Sequence, residues 1–576
     1  MPSRKQLSKL PKVLSKKERH IVIVLAFIAL GALIAMPVTA YFHFTEPVPD
    51  FGGTFNEGLV GAPKQVNPIL AQVNDVDRDI AKLVYSGLTK YDSEGNLIMD
   101  FAESYEISDD GLTYTFKLKE GVFWHDGNPL TADDVVFTIL TVQNPEYNSL
   151  QAINWQGVEV SKVDPGTISF KLKNKYAQFL SNTTLGIIPK HIWEGVKPVN
   201  FSLSEFNTKP IGSGPYKFQK FRRDEFGNIQ SYHLEAFKDY YSDQPFIKNI
   251  VFKFYLSERD VVDALNNGDI DGLAMSNRQV GLIKFRQKVS IKELQLPRYF
   301  SIFFDQNQSD SLSDANVRMA LNYATDKNQV VGDVLGGRAS VVSSPLLSGV
   351  LNIGEPSVIY DFDIAKAEEL LDKSGWIYAE GEEQNQNSIR HKESGTKGSS
   401  EEQEPLKLEI ELTTSDWPEL VAVANEIKSQ WQKVGVGVNL QILPLAQLQQ
   451  TIKERKYEAL LFGEVLSLDP DPFSFWHSSQ KKDPGLNLAL YDDKNADKLL
   501  EEARQAVDAE QRRAKYEEFQ DLLLKSAPAV FVYSPDFIYV QSNKIRNNNS
   551  RVIAVPSERF GLVNEWYIDT RRVRKQ

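Results

Sequence analysis

The chain has 576 residues and a formal net charge of −12, from 65 Lys and Arg against 77 Asp and Glu. This length exceeds what one hydrophobic core supports, so we expect at least two domains. The excess of acidic residues argues against nucleic acid as a partner, because its phosphates would be repelled. The sequence has no cysteine, which excludes disulfides, thiolate metal sites, cysteine nucleophiles and an anchor made of a lipid-modified cysteine.

The N-terminus predicts a membrane anchor. Residues 21–41 carry no charge and are long enough to cross a bilayer core of about 30 Å. Residues 1–20 hold seven Lys and Arg, so the positive-inside rule keeps them in the cytoplasm and exports the body. A cleaved signal peptide is the alternative, because Val-Thr-Ala at 38–40 would suit signal peptidase. The apolar run is longer than a typical signal core, which favours the uncleaved anchor.

The body alternates strands and helices. Residues 42–50, with two prolines, are expected to form a tether. A strand at 54–59 follows, and then a helix over 76–88 whose apolar residues recur at helical spacing. Near the C-terminal half, a strand, a helix and a strand in succession are typical of one lobe of a two-lobed binding protein. The remaining predicted elements are strands at 113–118, 167–172, 250–254, 299–304, 406–412 and 436–442 and a helix at 419–434.

Residues 381–404 differ from the rest of the body. Their only large apolar side chain is Ile389, so burial cannot repay the entropy lost on ordering. We predict a disordered surface insertion in which His391 has no role.

The segment 121–135, GVFWHDGNPLTADDV, carries the most specific pattern. An aromatic corner leads into a turn, and Thr131 begins a helix with Asp133 and Asp134 in its first turn, where the helix dipole favours negative charge. This string closely resembles the signature of the bacterial extracytoplasmic solute-binding proteins that serve peptide, dipeptide and nickel ABC importers. Further stretches similar to that family follow in family order over roughly residues 51 to 570, at 209–218 (KPIGSGPYKF), 264–271, 317–327, 365–376, 469–472 and 485–487.

The resemblance implies an α/β fold of the two-lobed periplasmic-binding-protein type (class II, cluster C), with a hinge and an extra sub-lobe, preceded by one transmembrane helix. Chain crossings near Tyr299 and Phe531 would form the hinge around which the lobes close. The implied division is lobe I at 51–298 plus 530–570 with its sub-lobe at about 89–205, and lobe II at 299–529 with the insertion 381–404.

The sequence gives little support to catalysis or metal binding. The carboxylate pairs Asp133/Asp134 and Asp469/Asp471 could belong to a glycosidase, but helix capping explains the first pair and a proline-rich turn the second. No Gly-x-Ser-x-Gly, Walker or HExxH motif occurs, and the seven histidines never fall at metal-ligand spacing. We therefore expect neither an enzyme nor a cofactor or metal site, with a secreted hydrolase as the alternative class.

A peptide ligand needs strand-like backbone partners, a carboxylate for its ammonium and roomy pockets. The resemblance implies an anchoring acid in the loop 466–472. The usual anchor position holds Leu468, so either Asp469 takes that role through a one-residue shift or the anchor is missing. Trp417 and Trp476 are either pocket walls or core residues. The full set of predicted ligand-binding residues is Val73, Asn74, Asp75, Trp417, Gly463, Glu464, Asp469 and Trp476.

Together these features predict a monomeric, membrane-anchored component of an ABC importer that captures peptides outside the cytoplasm, in the periplasm or at the cell surface. It would deliver them to the permease subunits, and the anchor would keep it at high effective concentration there. Two alternatives stay open: a binding protein for a nickel chelate or another small solute, and an anchored extracellular peptide sensor.

Overall fold

The computed structural model describes residues 15–351, 353–379, 388–393 and 405–575, with Val38 described for its backbone alone. In chain order the strands are β1 Thr45–Pro49, β2 Gly52–Val60, β3 Thr89–Tyr91, β4 Leu97–Met99, β5 Ala102–Ile107, β6 Thr113–Leu118, β7 Val158–Asp164, β8 Thr167–Leu172, β9 Tyr216–Arg223, β10 Ile229–Ala236, β11 Ile247–Tyr255, β12 Gly272–Met275, β13 Val289–Leu294, β14 Arg298–Phe304, β15 Ala339–Val341, β16 His391–Lys392, β17 Leu406–Lys407, β18 Glu409–Ser415, β19 Gly437–Leu443, β20 Ala459–Val465, β21 Ala529–Pro535, β22 Phe537–Ser542 and β23 Thr570–Arg574.

The helices of nine residues or more are α1 Lys16–Phe44, α2 Asp75–Val84, α3 Ala132–Gln143, α4 Glu258–Asn267, α5 Ala315–Tyr323, α6 Ile364–Lys373, α7 Pro418–Gln432, α8 Leu445–Glu454, α9 Lys494–Gln505 and α10 Ala509–Ser526. Shorter helical segments are Ala71–Val73, Pro145–Tyr147, Leu150–Trp155, Phe179–Asn182, Lys190–Trp193, Pro198–Phe201, Glu205–Asn207, Asn277–Leu282, Arg286–Lys288, Asp310–Ser313, Lys327–Gln329, Val330–Val334, Ser348–Leu351, Phe473–Trp476, Ser478–Gln480, Pro556–Phe560 and Val563–Glu565.

Two large sheets form the centres of the two lobes. The lobe I sheet has seven strands in the order β13-β22-β12-β2-β11-β10-β9, and β2 runs parallel to both β11 and β12. The lobe II sheet has six strands in the order β15-β21-β14-β20-β18-β19. A separate four-stranded sheet, β5-β6-β8-β7, belongs to the sub-lobe with α3. This is the predicted mixed α/β, two-lobed architecture.

The chain passes twice between the two large sheets. It leaves the lobe I sheet after β13 and enters the lobe II sheet at Arg298, and it returns through Asp536 between β21 and β22. The sequence had assigned residues 530–535 to lobe I, whereas β21 pairs with β14 and β15 in lobe II. Strand β21 is buried along nearly its whole length, and a strand buried on both faces gives no alternation from which its sheet can be inferred.

The signature segment and the Gly-x-Gly-Pro-Tyr segment form one unit. The backbone N–H of His125 donates to Gly212 O (2.8 Å), and its ring bonds to Gly212 N (3.2 Å) and Gly214 O (3.0 Å). Burial lowers the pKa of His125 to about 4, so the ring is neutral at pH 7. A Cβ at position 212 would lie 1.9 Å from Val84 O, which only glycine avoids.

Two segments that were expected to lie outside the folded body are partly built into it. The predicted tether 42–50 contains β1, which pairs antiparallel with the C-terminal strand β23. Within the predicted insertion 381–404, residues 388–393 are described, and β16 pairs with β17. Arg390 explains this order, because its buried guanidinium donates to Val434 O (2.9 Å) and Trp376 O (2.8 Å) and lies 4.4 Å from the Tyr378 ring. The rest of the predicted insertion lies outside the described residues.

Helix α1 has the composition and length to cross a membrane. It extends the predicted span 21–41 by about one turn at each end, and its 18-residue apolar window is not buried by the protein. Ser15 begins the helix with a reciprocal cap, since its N–H donates to the Glu18 carboxylate (2.9 Å) and its hydroxyl accepts from Glu18 N (3.4 Å). A signal sequence would give the same helix, so its composition alone leaves both interpretations open.

Candidate ligand-binding cleft

Three cavities meet at the end of β20. A cavity of about 380 Å³ lies on lobe II, and one of about 370 Å³ lies between lobe I and residues 465–468. A groove of about 1530 Å³ runs between the sub-lobe and the 465–475 region of lobe II. Val465 lines all three, so the cavities adjoin one another, and we refer to them together as the candidate cleft.

The sub-lobe and lobe II are in contact beside this groove. Gln178 donates through Nε2 to Pro470 O (3.1 Å) and to the Tyr516 hydroxyl (2.9 Å). The backbone N–H of Ala177 donates to Arg504 O (3.2 Å). These contacts tie one rim of the cleft to the other on this side.

The lobe II cavity has aromatic walls. Trp417, at the N-terminus of α7, is 49% exposed and packs edge-to-face against Phe300 with ring centres 6.2 Å apart. Phe300 stacks in turn on Tyr533 at 4.9 Å. Gly463 pairs with Phe300 across β20 and β14, and a Cβ there would lie 2.7 Å from the Phe300 ring. The absence of a side chain at Gly463 therefore allows this aromatic wall to form.

Glu464 provides an uncharged acid at the same cavity. Its side chain is buried and accepts a hydrogen bond from the Tyr299 hydroxyl. Burial raises the pKa of Glu464 to about 8, so the carboxyl is mostly protonated at pH 7. Oε1 has no hydrogen-bond partner among the described residues. Of the predicted site residues, Trp417, Gly463 and Glu464 are thus brought together at one cavity.

The lobe I cavity is charged, and none of the predicted site residues lines it. Lys82 lies 2.9 Å from the Glu558 carboxylate, and Lys90 lies 3.6 Å from Asp100. Asp100 also accepts from the Tyr241 hydroxyl at 2.7 Å. Lys82 and Glu558 are 476 positions apart, and no spacing rule links such distant residues.

A buried ion cluster holds Glu558 in place. Its neighbour Arg559 donates to both oxygens of Asp79 (2.8 and 2.5 Å), to Glu57 Oε1 (3.2 Å) and to the backbone oxygen of Pro556 (2.9 Å). All three charged side chains are almost fully buried. Burial raises the pKa of Glu57 to about 7, while Arg559 opposes that shift. The guanidinium thus fixes the segment Pro556–Phe560 at the wall of the lobe I cavity.

The predicted lobe I contacts Val73, Asn74 and Asp75 lie beside this cavity but do not line it. Asn74 caps α2 by accepting from Val76 N (3.1 Å), and its amide donates to Ala62 O (3.0 Å). Asp75 is exposed and pairs with Arg78. Val73 is 73% exposed, so it remains free to meet a ligand that extends beyond the cavity.

Asp469 and Trp476, which were predicted to contact the ligand, do not line any of the three cavities. Both carboxylate oxygens of Asp469 lie 3.4 Å from Arg512 Nη2, and the side chain lines none of the three cavities. Trp476 is 1% exposed and packs against Phe303 and Phe531 in the lobe II core. The short helix Phe473–Trp476 turns this indole inwards, so the pocket-wall interpretation of Trp476 is wrong and the core interpretation is correct.

Within the described residues, no group of three or more His, Asp and Glu side chains is arranged to hold a metal ion. The acids that line the cavities are therefore considered as partners for a cationic group of the ligand. Asp416 is one such acid, because it is exposed and lines the lobe II cavity beside Trp417.

Comparison with known proteins gives a consistent result. Residues 96–513 match the profile "Bacterial extracellular solute-binding proteins, family 5 Middle". The oligopeptide-binding protein AppA of Bacillus subtilis (strain 168) is 30% identical over 501 residues, covering 85% of this chain and 87% of AppA. The structure of that AppA with a nonapeptide covers 91% of this chain and 100% of its own, with a TM-score of 0.65 and 27% identity.

A nickel-binding protein is similar to the same degree. NikZ from Campylobacter jejuni, solved in complex with Ni(L-His), is 29% identical with a TM-score of 0.68, covering 89% of this chain and 99% of its own. The family profile and the AppA relative each extend over most of the body. The chain therefore belongs to the bacterial extracellular solute-binding proteins of family 5.

Proposed function

We propose that this protein is the extracytoplasmic binding component of an ABC importer and that its cargo is a peptide. A monomer would capture the peptide between its lobes, release it unchanged to permease subunits, and remain attached to the membrane through α1. Relatives named as an oligopeptide-binding protein and a dipeptide-binding protein support the peptide class. The proposal requires no catalysis and no cofactor.

The candidate cleft, made of three adjoining cavities, carries this proposal. Its three cavities share Val465 and differ in character: aromatic on lobe II, charged on lobe I and open toward the sub-lobe. A peptide offers side chains of mixed character along a repeating backbone and fits such a series of pockets. A compact metal chelate would fill only one of them. The nickel alternative stays open because of NikZ.

We further propose that Asp416, rather than Asp469, pairs with the ligand ammonium. Asp416 is exposed at the aromatic cavity, and within the described ranges no side chain forms a salt bridge with it. Asp469 is occupied by Arg512. An ammonium at Asp469 would first have to displace that guanidinium, whereas at Asp416 a charge-assisted bond forms without such a loss.

Native mass spectrometry of the purified full chain, with its co-captured solute, tests the peptide class directly. The identified peptide is then compared with its N-acetylated form and with Ni–L-histidine in titrations. Asp416→Asn should weaken binding of the free-amine peptide more than of the acetylated one, and Asp469→Asn is the matched control. The reverse pattern would return the anchor to Asp469, and tight binding of Ni–L-histidine alone would replace the peptide by a chelate.

The membrane attachment has its own test. Intact-mass measurement of the protein from membranes gives the position of its N-terminus. A mass that includes residues 1–40 supports the anchor, and a chain that begins near residue 41 establishes a cleaved signal peptide.

A further inference from the structure

Two strands that are far apart in the sequence, β1 and β23, form a two-stranded ribbon next to helix α1. Strand β1 follows α1 directly and pairs along its full length with β23. The backbone N–H of Lys575 donates to Phe44 O at 2.9 Å, which carries the pairing to the last residue of the helix. We call β1, β23 and Lys575 the juxtamembrane ribbon.

Arg572 couples this ribbon to the end of the helix. Its guanidinium donates to Thr45 Oγ1 (2.8 Å), Thr45 O (2.6 Å) and Phe42 O (3.2 Å). The same group lies 4.5 Å from the Phe42 ring centre and 5.6 Å from that of Tyr41. A cation at a helix C-terminus is favoured by the helix dipole and satisfies carbonyls that lack an intrahelical partner. The helix and ribbon are therefore joined by side-chain contacts as well as by the chain itself.

The ribbon is basic although the protein is acidic. Arg571, Arg574 and Lys575 are exposed, and no acidic side chain of the described residues forms a salt bridge with them. Glu46 is the only acid on the two paired strands. The whole chain carries −12, so this concentration of positive charge marks a distinct surface.

The position of these cations relative to a bilayer follows from the helix. The uncharged run 21–41 spans about 30 Å at 1.5 Å per residue, which matches the hydrocarbon core. Phe42, His43 and Phe44 add less than one turn before the ribbon begins. Arg574 pairs with Thr45 at the helix end of the ribbon, so it and Lys575 lie within about one Debye length (about 8 Å) of the membrane surface.

We propose that the juxtamembrane ribbon binds anionic phospholipid headgroups on the outer face of the membrane and thereby holds the body at a fixed height and tilt. This inference rests on the proposed uncleaved anchor. Arg572 transmits the orientation of the helix to the ribbon, the exposed cations Arg574 and Lys575 contact the lipid, and Arg571, farther from the helix, adds to the attraction. Each cation near an anionic surface should raise the docked population about fivefold.

The test uses the full chain in lipid nanodiscs. Because the sequence has no cysteine, Thr570→Cys gives a single labelling site on the exposed first residue of β23. Energy transfer is measured from a dye there to a headgroup acceptor, in discs of phosphatidylcholine with and without phosphatidylglycerol. Transfer should be higher in the anionic discs, and the gain should disappear in 1 M salt, where the Debye length falls to about 3 Å.

Charge reversal supplies the control. A triple variant should abolish the gain in energy transfer in anionic discs; its substitutions are Arg571→Glu, Arg574→Glu and Lys575→Glu. The control variant reverses three exposed cations outside the ribbon, Lys284, Lys433 and Lys453. It changes the net charge by the same amount but should preserve the gain in energy transfer.

The anchor and the lipid-binding proposal would fail with different experimental results. A purified chain whose intact mass lacks residues 1–40 would overturn the anchor, and with it the placement of the ribbon at the membrane. A chain that retains those residues but gives equal transfer in both lipids would overturn the ribbon proposal alone. If the reversal then reduced co-purification with the permease, the partner of the ribbon would be protein and not lipid.

Discussion

Removal of the buried guanidinium of Arg559 should destabilise lobe I in a way that depends on pH. Arg559→Met keeps most of the side-chain volume but leaves Glu57 and Asp79 buried without their cation. Loss of one partner from a buried ion cluster costs about 3–5 kcal/mol, because the remaining charge is no longer compensated. We expect a loss of this size at pH 7.5.

The sign of the pH dependence follows from Glu57. Its folded pKa of about 7 lies above the usual 4.5, so between these values the folded state holds a proton that the unfolded chain has lost. The free energy of unfolding therefore falls as pH rises through that window. Without Arg559 only the hydrogen bond from the Tyr539 hydroxyl (3.0 Å) opposes the effect of burial on the pKa of Glu57, and the window extends upwards. Keeping such a carboxyl protonated costs about 1.4 kcal/mol per pH unit, and the wild type already bears this cost up to about pH 7, so the loss of Arg559 adds about 1 kcal/mol at pH 7.5 and almost nothing at pH 5.

Urea unfolding followed by tryptophan fluorescence measures the effect, since the lobe I core holds buried indoles at Trp124, Trp155, Trp193 and Trp566. Arg551→Met is the matched control, because Arg551 is 76% exposed and 3.6 Å from Glu94, where a salt bridge contributes about 0–1 kcal/mol. The reasoning would be refuted if both variants lost the same amount, or if the deficit of Arg559→Met at pH 5 equalled that at pH 7.5.

Two further predictions concern the aromatic cavity. Trp417→Ala should weaken peptide affinity by up to about 100-fold in calorimetric titration, since covering the exposed half of an indole removes about 120 Å² from water, an upper limit of about 3 kcal/mol. The thermal midpoint of Trp417→Ala should change little, whereas Trp476→Ala should cost about 3–5 kcal/mol of stability. A large loss of stability in Trp417→Ala and none in Trp476→Ala would contradict the placement of these two indoles. Gly463→Ala should displace the Phe300 ring and lower affinity about tenfold, with a stability loss of about 1–3 kcal/mol. Unchanged affinity would show that this wall does not contact the ligand.

The fold could be predicted from the sequence because the motifs that indicate it are short contiguous stretches, and several of them occur along the chain. The segment 121–135 and the Gly-x-Gly-Pro-Tyr stretch each have a characteristic order of residues, and the structure joins them through His125 and Gly212. The assignment of β21 to its sheet depended instead on which distant strands it contacts. Arg390 is a similar case, since a polar segment became ordered through one arginine that reaches backbone carbonyls elsewhere. Composition alone does not reveal such contacts.

The site was only partly predictable, because it too depends on contacts between residues that are distant in the sequence. Gly463 and Glu464 lie on a strand that the resemblance identified, and they do line the lobe II cavity. The charged wall on lobe I combines Lys82 with Glu558, which comes from the C-terminal part of the chain. For Trp476, composition gave equal support to a wall and to a core position, and only the direction of a short helix decided between them.

The pairing of β1 with β23 has a consequence for biogenesis. Strand β1 is synthesised long before β23, so it has no partner until β23 has been made. Under the proposed anchor, the body thus reaches its final orientation only once β23 has paired, and a protein truncated before Thr570 would remain attached to the membrane but free to rotate. Under the same proposal, a label or fusion partner placed beside β23 would contact the lipid, so such insertions belong in loops far from the ribbon.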